Sequence, residues 1–177
     1  YASNTGNTEK IARELENNFE KYGWSNELKK IPKDYDVKNP DFEFDSYDFV
    51  CVGSPVIKEL PVKQIRRLTY GNPGPRKLTI GEKCGIVFCT YGGIHLGPKE
   101  AEPALKILEL ELMHQRFNVI GSLAIPGKIC DTATDEIFFA DLHKRPDDND
   151  IKNVALFVDG IMSKLREFPH YNQNDKV

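Results

Sequence analysis

The stretch "YASNTGNTEKIA", residues 1–12, decides how this chain is read. Ser3, Asn4, Thr5, Gly6, Asn7 and Thr8 are small, polar and rich in hydroxyls and amides. Directly behind them Ile11, Ala12, Leu15, Phe19 and Tyr22 recur at spacings of three and four, one apolar stripe on a helix that Gly23 ends. Hydroxyls from Ser3, Thr5 and Thr8, the Asn7 side chain and the N–H groups around Gly6 can converge on a phosphate. The start of the helix adds its partial positive charge there. Helix caps also use Ser, Asn and Thr, but six such residues in succession exceed what a cap uses, so an anion site is the favoured reading. The lysine and glycine spacing of a nucleotide-triphosphate loop are absent.

Outward from that loop the chain alternates strand and helix patterns. Residues 27–31 alternate enough for a modest strand, and 32–40 read as a polar connection. The run "YDFVCVGSPV" (47–56) is a short, continuous apolar strand that Gly53, Ser54 and Pro55 stop. Pro61 opens a helix through Val62, Ile65 and Leu68, and 71–77 form a turn-rich loop. "CGIVFCTYGG" (84–93) repeats the grammar of a strand breaking into glycines. A long helix follows over 99–117 with Pro103 near its first turn, then the strand "NVIGSLAIPG" (118–127). Residues 134–145 read as a short helix or irregular, and Asp150 as the cap of a last helix striped by Ile151, Val154, Val158, Ile161 and Leu165. Alternation of this kind predicts an α/β fold with a right-handed parallel sheet, whose ligands gather at the carboxyl ends of the strands. Residues 3–8, 53–60 and 90–97 all fall at that edge.

The 177 residues make one domain's worth of chain, 40% apolar and 29% charged. A net charge of −3 gives no electrostatic case for nucleic acid or an anionic membrane. The absence of a spanning apolar run or a signal-peptide pattern makes cytoplasm the expectation. Cys51, Cys84, Cys89 and Cys130 lack the spacing of zinc or iron–sulfur ligands and read as reduced and structural. Cys130, in a loop, is the best candidate for a redox-active thiol.

"SNTGNT" (3–8) resembles the phosphate loop of the flavodoxin family, whose pattern is Ser/Thr-x-Thr-Gly-x-Thr. "GSPVIKELP" (53–61) and "TYGGIHLGP" (90–98) fall where that family places its two flavin-flanking loops. All three agree in order and spacing. The resemblance covers residues 1 to about 167, with 1–168 as the domain and 169–177 as a flexible tail. The "GSPV" and "TYGG" loops are similar to those of flavodoxin-like domains in some anaerobe redox proteins. The resemblance implies a flavodoxin-like three-layer sandwich, a parallel sheet with helices on both faces. It also implies a buried hydrophobic strand of about five residues before Tyr1, at the centre of the sheet.

The same resemblance implies non-covalent FMN. Ser3, Asn4, Thr5, Gly6, Asn7 and Thr8 would hold the phosphate. The ring would lie among Ser54, Pro55, Val56, Ile57 and Lys58 on one side and Thr90, Tyr91, Gly92, Gly93 and His95 on the other. Backbone groups at 54–58 would meet the N5 edge, Ile57 and Leu60 one face, and Tyr91 part of the ring. Trp24, the sole tryptophan, lies far from these loops. Lys58 and His95 are cationic candidates beside the ring, where a positive charge favours reduced flavin. The expected function is electron transfer to a redox protein or a small-molecule acceptor, with no catalytic or metal residue assigned. The alternative is an FMN-dependent NAD(P)H:quinone-type oxidoreductase, and a cofactor-free binding module is more distant.

Overall fold

The computed structural model describes residues 1–36, 43–71, 83–92, 96–128 and 144–171. Four strands, β1 (Phe49–Ile57), β2 (Leu60–Pro61), β3 (Cys84–Tyr91) and β4 (Asn118–Pro126), lie in the order β2-β1-β3-β4. β1, β3 and β4 are parallel, with Phe49 opposite Cys84 and Cys84 opposite Asn118. β2 is a two-residue antiparallel return of β1, which makes the sheet mixed at its rim. The parallel centre and the helices on both faces are as the sequence predicts.

β3 is buried along its whole length, and its alternation divides the core. Cys84, Ile86 and Phe88 face α1 (Asn7–Lys21) and α4 (Asp148–Leu165), where Ile11, Leu15, Val154, Val158 and Ile161 meet them. Val87, Cys89 and Tyr91 face α2 (Lys63–Gly71) and α3 (Glu102–His114), with Ile65, Leu68, Leu108 and Leu112. A period of two on a strand sends successive side chains to opposite faces, so one strand anchors both layers.

β1 runs past the residues expected to stop it. Gly53 is a packing notch, because a Cβ there would come within 2.1 Å of Phe88 Cζ. The strand ends in a two-residue hairpin, with Val56 opposite Pro61 and Ile57 opposite Leu60. Lys58 and Glu59 form its tip at φ 52° and 60°, the left-handed pair that matches strand twist and that Asn and Gly adopt more easily.

α3 starts with Pro103 in its first turn, after a 3₁₀ turn over Gly97–Ala101. Asp147, not Asp150, caps α4. The Asp147 carboxylate accepts from the N–H groups of Asn149 (2.9 Å) and Asp150 (3.0 Å). Asp150 returns the bond from the Asp147 N–H (2.8 Å) and takes Arg145 at 2.5 Å. This reciprocal box places Asp150 three residues inside the cap.

Tyr1 and Ala2 bond to β1 on one side and to residues 29–31 on the other. The Ala2 N–H donates to Gly53 O (3.0 Å) on β1. On the other side the Tyr1 amine donates to Lys29 O (2.8 Å), and the Ile31 N–H donates to Tyr1 O (2.7 Å). Paired bonds around one residue, here Lys30, are the pattern of a parallel ladder. Residues 27–31, expected as a strand, are not assigned as one; their backbone meets Tyr1 at Lys29 and Ile31. Behind Tyr1 a cavity of about 840 Å³ runs between β1 and residues 25–29. Tyr171, expected in a flexible tail, lies in a 3₁₀ turn at its end. The Tyr171 hydroxyl accepts from the Cys84 N–H (2.8 Å), donates to Asp48 O, and its ring stacks on Trp24.

Candidate functional site

The carboxyl edge of the sheet gathers the polar loops. Leaving Ala2, the chain turns through Ser3–Gly6, with Ser3 Oγ accepting from the Gly6 N–H (3.1 Å). Gly6 takes φ 91° and passes directly into α1, where no side chain caps the helix start. The first N–H groups of a helix have no partner within it, so here they face the same loop as the exposed Asn4, Thr5 and Gly6.

Charge is kept off this start. Glu9, in the first turn, is held by Lys30 (2.7 Å) and Arg13 (3.0 Å), hydrogen bonds that lower its carboxyl to about 2. Lys10 turns to Pro146 O (2.7 Å). The donors offered to an anion are therefore neutral hydroxyls and peptide N–H groups, aided by the helix dipole.

Two bonds tie this loop to its neighbours, and a third joins those neighbours to each other. Thr8 is buried, and its hydroxyl shares a 2.7 Å hydrogen bond with that of buried Thr90 at the end of β3. Asn7 Nδ2 donates to Lys128 O (2.9 Å), and the Gly127 N–H donates to Tyr91 O (2.7 Å). Gly127 lies so close that a Cβ there would come within 2.6 Å of Asn7 Nδ2. The turn after β4 is thus a wall of the site that the sequence reading missed. "IPG" (125–127) carried the signal, since it ends a strand as the other edge loops do.

The remaining expected residues divide by burial. Ser54 is fully buried; its hydroxyl accepts from the Val62 N–H (3.0 Å) and donates to Pro55 O (2.9 Å), fastening the hairpin return. Tyr91 is 7% exposed and packs in the core, where burial raises its hydroxyl pKa. Pro55 and Val56 are half-buried and Lys58 is exposed. Ile57 and Leu60, opposed in the hairpin ladder, are 50% and 44% exposed, and Leu96 is 54% exposed after the third loop. Gly92 is half-buried; Gly93 and His95 lie outside the described residues, as does Cys130. Burial pushes the thiols of Cys51 and Cys89 up to about 12, which leaves them inert.

The donor set fits a phosphate monoester, and the exposed Ile57, Leu60 and Leu96 fit an apolar ring. Among the described residues no cluster suits a metal ion, and no helix is long and apolar enough to cross a membrane.

No protein-family model matches this chain, and no curated protein matches it in sequence. Solved structures do. The oxidised flavodoxin 2 of Bacillus cereus superposes with a TM-score of 0.65 at 18% identity, over 92% of this chain and 96% of that one. A short-chain flavodoxin associated with a PDU bacterial microcompartment gives 0.61 at 15%, over 93% and 94%. The flavodoxin of Streptococcus pneumonia TIGR4 gives 0.61 at 15%, over 92% and 94%. Parallel strands at the centre, helices on both faces and agreement along nearly the whole length lead to one conclusion: this chain has the flavodoxin fold.

Proposed function

We propose that this chain binds FMN at the carboxyl edge of its sheet and serves as an electron-transfer protein. The observation that carries the reading is the loop 3–8: an uncapped helix start, exposed hydroxyl and amide groups, and Lys10 and Lys30 engaged elsewhere. Thr5, Asn4 and the N–H group at Asn7 are the donors assigned to the phosphate, the Gly6 N–H being taken by Ser3 Oγ. Thr8 and Thr90 set the loop on β3, and Ser54 holds the hairpin whose apolar tip flanks the ring. Bound FMN supplies reversible one- and two-electron chemistry; the chain positions it and sets its surroundings. The partner class is a redox protein or a small-molecule acceptor.

The test contrasts two ligands. Thr5→Ala removes one hydroxyl that a phosphate oxygen would use, so FMN affinity falls roughly five- to a hundredfold, at about 1–3 kcal/mol for one such bond. Riboflavin, which has no phosphate, loses little. Equal losses for both ligands, or none for either, overturn the phosphate reading. Electron transfer is checked separately, by reducing the flavin-loaded protein and following reoxidation by an added redox protein. Reduction of the bound flavin by NAD(P)H alone would favour the oxidoreductase alternative.

A further inference from the structure

The surface beside the carboxyl edge carries a charge opposite to that of the whole chain. From Lys58 to Lys77 the sequence holds six cationic residues against one acidic residue, within a chain of net charge −3. α2 displays the middle of this block. Its exposed side chains are Lys63, Arg66, Arg67 and Tyr70, and none is acidic. Lys63, Arg67 and Tyr70 recur at spacings of four and three, one stripe about 10 Å long on the outer face of the helix. Arg66 turns to Glu111 on α3 (3.2 Å), whereas Lys58, Lys63 and Arg67 have no ion-pair partner among the described residues.

Helix stability does not account for this placement. A helix start favours acidic residues, yet α2 has none in its first turn, which Lys63 opens. The positive end of the helix and the charges of Lys58 and Lys63 therefore add, where the hairpin 57–60 leaves the sheet. That hairpin presents the half-exposed Ile57 and Leu60. The acidic Glu59 shares its tip with Lys58, and at the neighbouring start of α3 the exposed Lys99 and Glu102 offset each other. An apolar centre beside unpaired cations is the form of a surface that orients a partner of opposite sign. At physiological ionic strength charges are screened over about 8 Å, so this local patch outweighs the net charge of the chain.

We propose that the hairpin 57–60 and the outer face of α2 are the docking surface for the electron-transfer partner, and that this partner is a redox protein with carboxylates around an apolar patch over its own redox centre. Ile57 and Leu60 meet the apolar patch and exclude water; Lys58, Lys63 and Arg67 meet the carboxylates. The redox character of the partner rests on the FMN reading above, whereas its charge follows from the residues of the surface itself.

The probes are two haem proteins of opposite surface charge: soluble cytochrome b5, with carboxylates around its haem edge, and cytochrome c, with lysines there. At low ionic strength cytochrome b5 binds saturably to the chain with and without FMN, and cytochrome c binds at least about tenfold more weakly. A carbodiimide, which joins amines to carboxylates, links cytochrome b5 to Lys58 or Lys63. Lys63→Glu lowers the affinity for cytochrome b5 about fivefold, as reversal of one rim charge does, and the loss fades as salt is raised. The helix start favours the new carboxylate, so the melting temperature of this variant is kept or raised and its weaker binding is not a folding defect. Lys152→Glu makes the same change in net charge at an exposed position of α4, on the opposite face of the sheet, and leaves the affinity unchanged. With FMN bound and reduced, one electron passes from the flavin to each ferric haem, and at limiting cytochrome this step slows in Lys63→Glu by the same factor. Tighter binding of cytochrome c, equal losses in Lys63→Glu and Lys152→Glu, or no saturable binding of cytochrome b5 overturns the proposal. Failure to take up FMN strikes the FMN reading instead, while binding to the FMN-free chain still decides the docking surface.

Discussion

Replacing Thr8 or Thr90 by valine tests how the loop 3–8 is seated. The two hydroxyls lie 2.7 Å apart, and their residues are 1% and 4% exposed, so water cannot stand in for either. Thr8→Val or Thr90→Val alone leaves a buried hydroxyl without its partner, at a cost of about 1–3 kcal/mol. With a urea slope of about 2 kcal/mol per molar, a 2 kcal/mol loss moves the unfolding midpoint down by about 1 M. Replacing both residues removes the orphan, and exchange of both partners for apolar groups of similar shape is close to neutral. The double variant is therefore more stable than the sum of the singles predicts, with a coupling that approaches that sum, about 2–6 kcal/mol. Urea denaturation of the four proteins gives the cycle. Unchanged midpoints in the single variants, or strictly additive losses in the double, refute the anchoring role. FMN titration of the double variant adds a second reading: retained affinity means that Thr8 only seats the loop, and lost affinity means that its hydroxyl also serves the phosphate.

Ser54→Ala leaves the buried Val62 N–H without its acceptor and destabilises by about 1–3 kcal/mol, measured by the same denaturation. Lys58→Asn with Glu59→Gly relieves two left-handed residues and stabilises the hairpin by about 1 kcal/mol, read as a higher melting temperature. Asp147 has its carboxyl held below the usual range, first by the Asp150 N–H. Its stabilisation is present above the ordinary carboxylate range and is lost as pH falls through the depressed value. Asp147→Asn is therefore less stable than the parent near neutrality, and the gap in melting temperature closes on acidification; a gap independent of pH contradicts the assignment.

The four helices and three parallel strands were legible because each rests on local pattern: stripes such as Ile11, Leu15 and Phe19, runs such as Ile86–Phe88, and glycine or proline punctuation. What failed depends on partners. Residues 27–31 alternate like a strand, yet ladder formation is decided by what lies beside them. Asp147 and Asp150 both suit a cap, and only their reciprocal bonds choose between them. Lys58 and Glu59 carry no turn signature; the Ile57–Leu60 pairing holds them in place. The same limit applies at the edge. Ser54, Thr8 and Thr90 are residue types that meet ligands, and their hydroxyls also bond neighbouring protein, which spacing does not foretell. A hydroxyl's direction is a tertiary property that spacing does not encode.

The bonds Thr8–Thr90, Asn7–Lys128 and Tyr91–Gly127 join the ends of β3 and β4 to the head of α1. Those segments are stitched into one frame before any ligand arrives. Their entropy of ordering is met during folding, so association does not carry it a second time. Such a rim acts as a rigid mould: its affinity is set by what touches the ligand, and damage to a stitch is felt first as a less stable protein.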